Sequence, residues 1–224
     1  MNLKDDVEKW AKEHNLEEKI NGLLPVIESF DKRNELFTIL NNDVKSANNA
    51  ASLQINDQYL RRTVVRTSFA MIEGLLNILN QTVLDIYKAG FTQLDTEELE
   101  NLMEETQSKK GVSRPKFMSL NNKVLFSFKI FAKKLGNFDY SIDTTTDEWK
   151  EFENAVLIRN HLMHPRNLED MILNEDQMLS ILKTWSWFTA TYGDLERQVG
   201  DISAKRSLEN LIKARIKGIQ AGKK

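Results

Sequence analysis

The sequence contains no cysteine, which excludes disulfide bonds, thiolate nucleophiles and metal centres with thiolate ligands. Only three prolines and nine glycines interrupt its 224 residues, which favours long helices. Neither of the two common glycine-rich phosphate loops, Gly-x-Gly-x-x-Gly and Gly-x-x-x-x-Gly-Lys-Ser/Thr, occurs. No apolar run approaches the roughly 20 residues that cross a bilayer. Because the first residues are polar and unlike a secretory signal, we expect a cytoplasmic protein without a membrane segment.

Charge is unevenly distributed along the chain. The formal net charge is only −2, yet residues 107–136 hold eight basic and no acidic side chains, and residues 203–224 hold seven basic side chains and one acidic side chain. Such segregation favours a basic surface that attracts a polyanion, although a solvated helix face and a frayed tail would have the same composition. In the first segment we single out four basic residues as candidates for binding, Lys109, Lys110, Arg114 and Lys116.

Hydrophobic periodicity is helical along nearly the whole chain, and signals for strands are weak. Helices are predicted at residues 3–21, 26–45, 57–88, 95–107, 119–135, 147–164, 174–199 and 203–219. We therefore predict an all-α protein with three parts. These are an N-terminal helical extension (residues 1–50), a bundle of about four or five core helices (51–200) and a basic C-terminal helix or tail (201–224).

The predicted helix at residues 57–88 is apolar on almost every side, as expected of a central helix that its neighbours bury. Glu73 lies inside this apolar run. A buried carboxylate is costly unless it is paired, so we expect Glu73 to have a cationic or hydrogen-bonding partner. The alternative is that Glu73 has no partner and is exposed to solvent at a gap in the packing.

The segment Ile-Arg-Asn-His-Leu-Met-His-Pro at residues 158–165 ends the predicted helix 147–164. Thr145 and Glu148 predict a capping box at the start of this helix, and a proline at position 165 predicts its end at His164. Asn160 and His164 are four residues apart and therefore neighbours on the helix. An imidazole exchanges protons near neutral pH, and the guanidinium of Arg159 matches the geometry of a phosphate.

The apolar residues of this helix lie on two faces. Phe152, Val156 and Met163 form one predicted buried stripe, whereas Ile158 and Leu162 lie opposite. Two apolar faces indicate that a second surface covers the helix, and a second subunit is one candidate.

Two other kinds of chemistry have weaker support. His161 and His164 have a spacing that would suit part of a metal site, but no His-Glu-x-x-His or paired Glu-x-x-His motif accompanies them, so no metal or cofactor is predicted. Trp185 and Trp187 would be able to stack on bases, although aromatic residues in an amphipathic helix usually belong to the core.

The pattern Arg159-Asn160-x-x-x-His164 resembles the Arg-x4–6-His motif of the HEPN superfamily, whose common form begins Arg-Asn. The long helix at residues 57–88 and the amphipathic helix after the motif also resemble that family, so the similarity covers roughly residues 57–199. It implies a HEPN-like helical bundle and a metal-independent endoribonuclease that acts as a homodimer, in a toxin or defence context and with an antitoxin as a candidate partner.

The resemblance also assigns roles to residues. It implies that Arg159 stabilises the phosphate, that His164 is the general acid or base, and that Asn160 orients the imidazole or contacts the phosphate. Glu73 is the candidate ion-pair partner of Arg159, and the basic residues near position 110 are candidates for RNA binding. In the alternative interpretation the same bundle binds RNA or protein without cleaving anything, Arg159 and Glu73 tie two helices together, and His164 only ends its helix.

Overall fold

A computed structural model describes residues 3–13, 24–107 and 113–200, and it is a helical bundle. The predicted all-α class is confirmed. The helix predicted at 203–219, the basic tail, and both Lys109 and Lys110 lie outside the described residues. The helices of the described part are α1 (Leu3–Glu13), α2 (Leu24–Leu53), α3 (Gln58–Lys88), α4 (Thr96–Met103), α5 (Leu120–Phe131), α6 (Asp147–Met163) and α7 (Glu175–Gly200).

Helix α3 is the centre of the bundle. It begins at Asp57, whose carboxylate accepts hydrogen bonds from the backbone N–H groups of Tyr59 and Leu60 at 2.7 and 3.0 Å and so caps the first turn. Helices α2, α5, α6 and α7 pack around it, which explains why its sequence is apolar on nearly every side. Nothing in the described part of the chain is long and apolar enough to be a membrane-spanning helix.

Helix α2 belongs to the same packed unit as α3. Its residues Val44 and Ala47 are part of the main core, and the Nη1 atom of Arg33 donates to the Oδ2 atom of Asp85 on α3 at 2.5 Å. The predicted boundary between residues 50 and 51 falls inside α2, which runs without a break to Leu53. Because Val44 and Ala47 are buried in the main core and Ala51 packs against it, the bundle has a larger core than residues 51–200 alone would have.

The helix predicted at residues 95–107 extends about one turn beyond the helix in the structure. Helix α4 ends at Met103 because Glu104 adopts a left-handed conformation with φ of 52°. The next residues form a small antiparallel hairpin, in which β1 (Glu105–Gln107) pairs with β2 (Ser113–Pro115). Arg114 lies opposite Thr106 in this ladder, so a candidate binding residue belongs to a strand that the periodicity did not predict.

The basic surface predicted between residues 107 and 136 is largely compensated where the structure describes it. Lys116 pairs with Glu100 at 3.6 Å, and Lys123 pairs with Glu104. Glu98 receives two cations, Lys133 at 2.9 Å and Lys134 at 2.7 Å. The basic segment therefore packs on the acidic helix α4, which reduces the field that it would offer to a polyanion.

Glu98 is the carboxylate of this contact that pairs with two lysines. Partial burial alone would raise its pKa, but hydrogen bonds from Lys134 and Lys133 outweigh burial and lower the pKa from 4.5 to about 2. A carboxyl group whose pKa is lower in the folded state stabilises the fold above its unfolded pKa and loses that contribution as the pH falls towards its folded pKa. Glu98 therefore makes the free energy of unfolding decrease between pH 4.5 and about 2.

We expect Glu98→Gln to weaken this acid dependence. The amide keeps a hydrogen-bonding group at the start of α4 but removes the charge, so the variant should be less stable than the unmodified protein at neutral pH and should approach it near pH 2. Urea unfolding at several pH values measures the difference. The control is Glu97→Gln, an exposed residue of the same turn without an ion pair among the described residues. Parallel pH profiles for both variants would contradict the assignment.

Candidate active site at the end of α6

The two ends of α6 fix the position of the Arg-Asn-His motif. At its start the hydroxyl of Thr146 accepts from the backbone N–H of Trp149 at 3.2 Å, whereas Thr145 hydrogen-bonds to Asp143. The predicted capping box of Thr145 and Glu148 is therefore wrong, and the N-cap is one residue later. At its end the last helical residue is Met163. His164 has φ of −131° and donates its backbone N–H to Asn160 O at 3.0 Å, which confirms the predicted stop before the proline.

Arg159 joins α6 to α3. Its Nη2 atom donates to the Oε1 atom of Glu73 at 2.5 Å, and its Nη1 atom donates to the Oδ1 atom of Asn160 at 3.0 Å. The expected ion pair of Glu73 with Arg159 is therefore present, but Glu73 is not buried, because its side chain is 42% exposed against 23% for Arg159. A guanidinium has five N–H donors. Three of those of Arg159 have no hydrogen-bond partner within the part of the chain that the structure describes.

The side chain of Asn160 hydrogen-bonds to Arg159 and not to His164. Its side-chain oxygen accepts from Arg159, and no hydrogen bond links its amide to the imidazole of His164 among the described residues. The proposed role of Asn160 in orienting the imidazole is therefore absent from this structure, and its other predicted role, contact with a phosphate, stays a prediction.

His164 lies on an open surface. Its residue is exposed, and within the described ranges its imidazole has no hydrogen-bond partner. His161 is exposed as well. A shallow cavity of about 230 Å³ lies elsewhere, between α4 and α5, and includes Asp95, Asn101 and Lys129 in its lining.

The segment after the motif is clamped onto the start of α3. The side chain of Gln58 makes two hydrogen bonds with the backbone of Leu173, donating to O at 3.0 Å and accepting from N at 2.8 Å. The buried Arg61 donates to Leu173 O at 2.6 Å and to Ile55 O at 2.8 Å. Arg62 donates to Met171 O at 3.0 Å. Sequence reasoning missed these three residues, and their signal was only a group of polar residues at the start of an apolar helix.

The prediction of two apolar faces on α6 is wrong in part. Met163 is 45% exposed, whereas Ile158 and Leu162 are buried within the chain. The surface that covers this second face is α7, which is tied to α6 by hydrogen bonds from Ser180 to Glu151 at 2.7 Å and from Asn154 to Ser180 at 3.2 Å. No second subunit is needed at Ile158 and Leu162.

Aromatic residues of α7 also belong to the core, as the ring contacts of Trp187 show. The ring of Trp187 lies 5.9 Å from that of Trp149 and 5.4 Å from that of Phe152, measured between centroids. Such distances are typical of packed aromatic clusters. Trp187 is therefore not free to stack on bases.

Comparison of this chain with models of known protein families, with curated proteins and with solved structures finds no match. The HEPN resemblance thus depends on the motif and on the helix that carries it, and it stays a prediction.

We expect Arg61→Ala to destabilise the protein by about 2–4 kcal/mol, because it removes a buried side chain and leaves the Ile55 carbonyl without this donor. Urea unfolding at neutral pH, with an unchanged dependence on denaturant, measures the loss. Arg66→Ala on the same helix is the matched control, since Arg66 is exposed and has no hydrogen bond in the described part, and its effect should stay below about 0.5 kcal/mol. Equal effects of the two changes would show that the clamp contributes nothing.

Proposed function

We propose that this protein is a metal-independent endoribonuclease of the HEPN type that works as a homodimer in the cytoplasm. One observation carries the proposal. Arg159 is held by Glu73 and Asn160 with three N–H donors free among the described residues, five residues before His164, which is exposed and has no hydrogen-bond partner there. A fixed guanidinium and an accessible imidazole are the groups that cleavage of a phosphodiester requires. The toxin or defence context and an antitoxin partner are proposed from the resemblance alone.

The chemistry assigns one role to each group. A general base removes the proton from the ribose 2′-hydroxyl, the 2′-oxygen attacks phosphorus, the bond from phosphorus to the 5′-oxygen breaks, and a general acid protonates that leaving oxygen. The products are a 2′,3′-cyclic phosphate and a free 5′-hydroxyl. Arg159 stabilises the negative charge on the phosphate oxygens. A single motif has one free imidazole, whereas two motifs brought together have both a base and an acid.

Exposed apolar side chains beside the motif support a dimer on this face. Leu157 is 57% exposed, Leu168 is 72% exposed and Ile172 is 53% exposed, and with Met163 they surround His164 along the chain. Large apolar groups clustered on a surface mark sites of association. Burial of this cluster against its symmetry-related copy would bring the two His164 side chains together and enclose a site that is open in one chain.

Purified protein should cleave mixed RNA in the presence of EDTA and leave 2′,3′-cyclic phosphate ends. We expect His164→Ala and Arg159→Ala each to lower the cleavage rate by about 100-fold or more, because one removes a proton-transfer group and the other removes stabilisation of the transition state. Gel analysis with end-group chemistry measures both. His161→Ala, an exposed histidine of the same helix, is the control and should retain activity. Cleavage that survives loss of His164 would refute the proposed mechanism.

The dimer has a separate test. Leu168→Glu and Ile172→Glu place charges in the exposed cluster, so we expect them to shift sedimentation from dimer towards monomer and to reduce cleavage together. Met103→Glu is the matched control, because Met103 is 51% exposed on α4, away from the motif. A protein that sediments as a monomer and still cleaves RNA would exclude the composite site.

The second candidate is a non-catalytic helical module that binds RNA or protein. It is favoured by the partial neutralisation of Arg159, whose positive charge is opposed by Glu73 at 2.5 Å, and by the exposed position of His164. This candidate predicts binding without cleavage, and binding that does not depend on Arg159 or His164.

A further inference from the structure

Helix α3 has one polar stripe that the rest of the bundle leaves at least partly exposed. Its members follow one another at spacings of three or four residues and therefore lie on one face. They are Tyr59, Arg62, Arg66, Ala70, Glu73 and Asn77.

Two contacts fix this stripe to the part of the chain that carries the motif. At one point Glu73 accepts from Arg159, and at the other Arg62 donates to Met171 O at 3.0 Å. His164 lies between Arg159 and Met171 in the chain, so both of its flanks are anchored to the same face of α3. With a rise of about 1.5 Å per residue, Arg66 lies about 10 Å from Glu73 and about 6 Å from Arg62 along the helix axis. Arg66 therefore lies between the two points at which this segment is anchored to α3.

The charge of this face differs from the charge of the motif alone. Glu73 opposes the charge of Arg159, so that pair offers little net attraction to an anion. Arg62 hydrogen-bonds only to a neutral carbonyl, and Arg66 has no hydrogen bond or ion pair among the described residues. These two arginines give the face its positive charge.

There is also space for a ligand between Arg66 and Glu73. The stripe residue between them is Ala70, which is exposed and whose side chain is a single methyl group. A guanidinium on one side and an Arg–Glu pair on the other thus border a part of the surface that no long side chain of the stripe occupies. Arginine at such a position matches a phosphate with two parallel donors.

We infer that Arg66 binds the phosphate next to the one that is cleaved, with Arg62 adding to the local field. The site then takes at least two successive phosphates, so its substrate is an RNA strand of several nucleotides and not a mononucleotide. The identification of the polyanion as RNA rests on the proposed ribonuclease function. The contact itself is with phosphate, which gives affinity and position but reads no base.

The test is the binding of a fluorescently labelled 2′-O-methyl RNA of about ten nucleotides, which lacks the hydroxyl needed for cleavage and can be used with the active protein. Affinity is measured by anisotropy from about 50 to 200 mM salt. Arg66→Ala should weaken binding by about three- to tenfold and reduce the slope of log affinity against log salt by about 0.7, the value for one lost phosphate contact on a single strand. Arg66→Lys should recover part of both losses.

The control is Lys88→Ala, which removes one exposed positive charge from the far end of the same helix and should leave affinity and slope unchanged. Equal losses for Lys88→Ala and Arg66→Ala would overturn the inference, because they would reflect overall charge. An unchanged affinity for Arg66→Ala, or a change of sedimentation in place of a change in RNA binding, would also overturn it.

Cleavage separates this inference from the proposed function. RNA that is bound through Arg66 but never cut supports the phosphate contact and refutes the nuclease. Cleavage at the normal rate with a normal Michaelis constant in Arg66→Ala supports the nuclease and refutes the contact. Absence of RNA binding by the unmodified protein refutes the contact whatever the outcome of the cleavage assay.

Discussion

The burial of α3 is the constraint on which the rest of the structure depends. Fourteen of its 31 residues are buried, and the apolar ones alone require cover from several directions. The surrounding helices supply this cover, and the large side chains Phe69, Phe128, Phe152 and Phe188 fill the spaces between them. What remains accessible on α3 is a narrow polar stripe, and the candidate site is located there because no other face of the helix is available to a ligand.

The contacts around this stripe differ in what they contribute. The Arg159–Glu73 pair is partly exposed, and such pairs contribute only about 0–1 kcal/mol to stability, so its main effect is to set the direction of the guanidinium. The clamp from Gln58 and Arg61 to Leu173 is more buried and acts on backbone atoms, which makes it the stronger restraint. The end of α6 is thus held on both sides of His164 while the imidazole itself stays free.

Local rules predicted the features that depend on neighbouring residues in the chain. The all-α class, the approximate helix positions and the end of α6 at the proline all follow from periodicity and backbone sterics. The expectation that Glu73 has a partner came from the cost of burying a carboxylate, but Glu73 is 42% exposed, and Arg159 was named as its partner through the family resemblance. These inferences needed no knowledge of which helices are neighbours.

The features that were missed depend on contacts between distant segments. The compensation of the basic segment by α4, the cover of Ile158 and Leu162 by α7, and the clamp on Leu173 join residues far apart in sequence, and periodicity carries no information about them. The hairpin that begins at Glu105 was not predicted, and the reason is local. Three-residue strands are too short to show alternation, and the left-handed residue that ends α4 is a glutamate, not the usual glycine.

The electrostatics of the motif are the reason why the proposed ribonuclease requires two chains. Glu73 fixes Arg159 but also cancels much of its charge, and a transition state with additional negative charge on phosphate needs more positive charge than this pair provides. Added charge has two sources on this face, the arginines of the α3 stripe and the motif of a second copy. In the proposed ribonuclease the stripe is fixed in the same chain and would favour binding of the strand in its ground state as much as in the transition state, so it would increase affinity without increasing the rate of the bound complex. A second motif would add an imidazole and a guanidinium at the reacting phosphate itself. The proposal therefore separates binding from catalysis, with the first assigned to α3 and the second to the paired ends of α6.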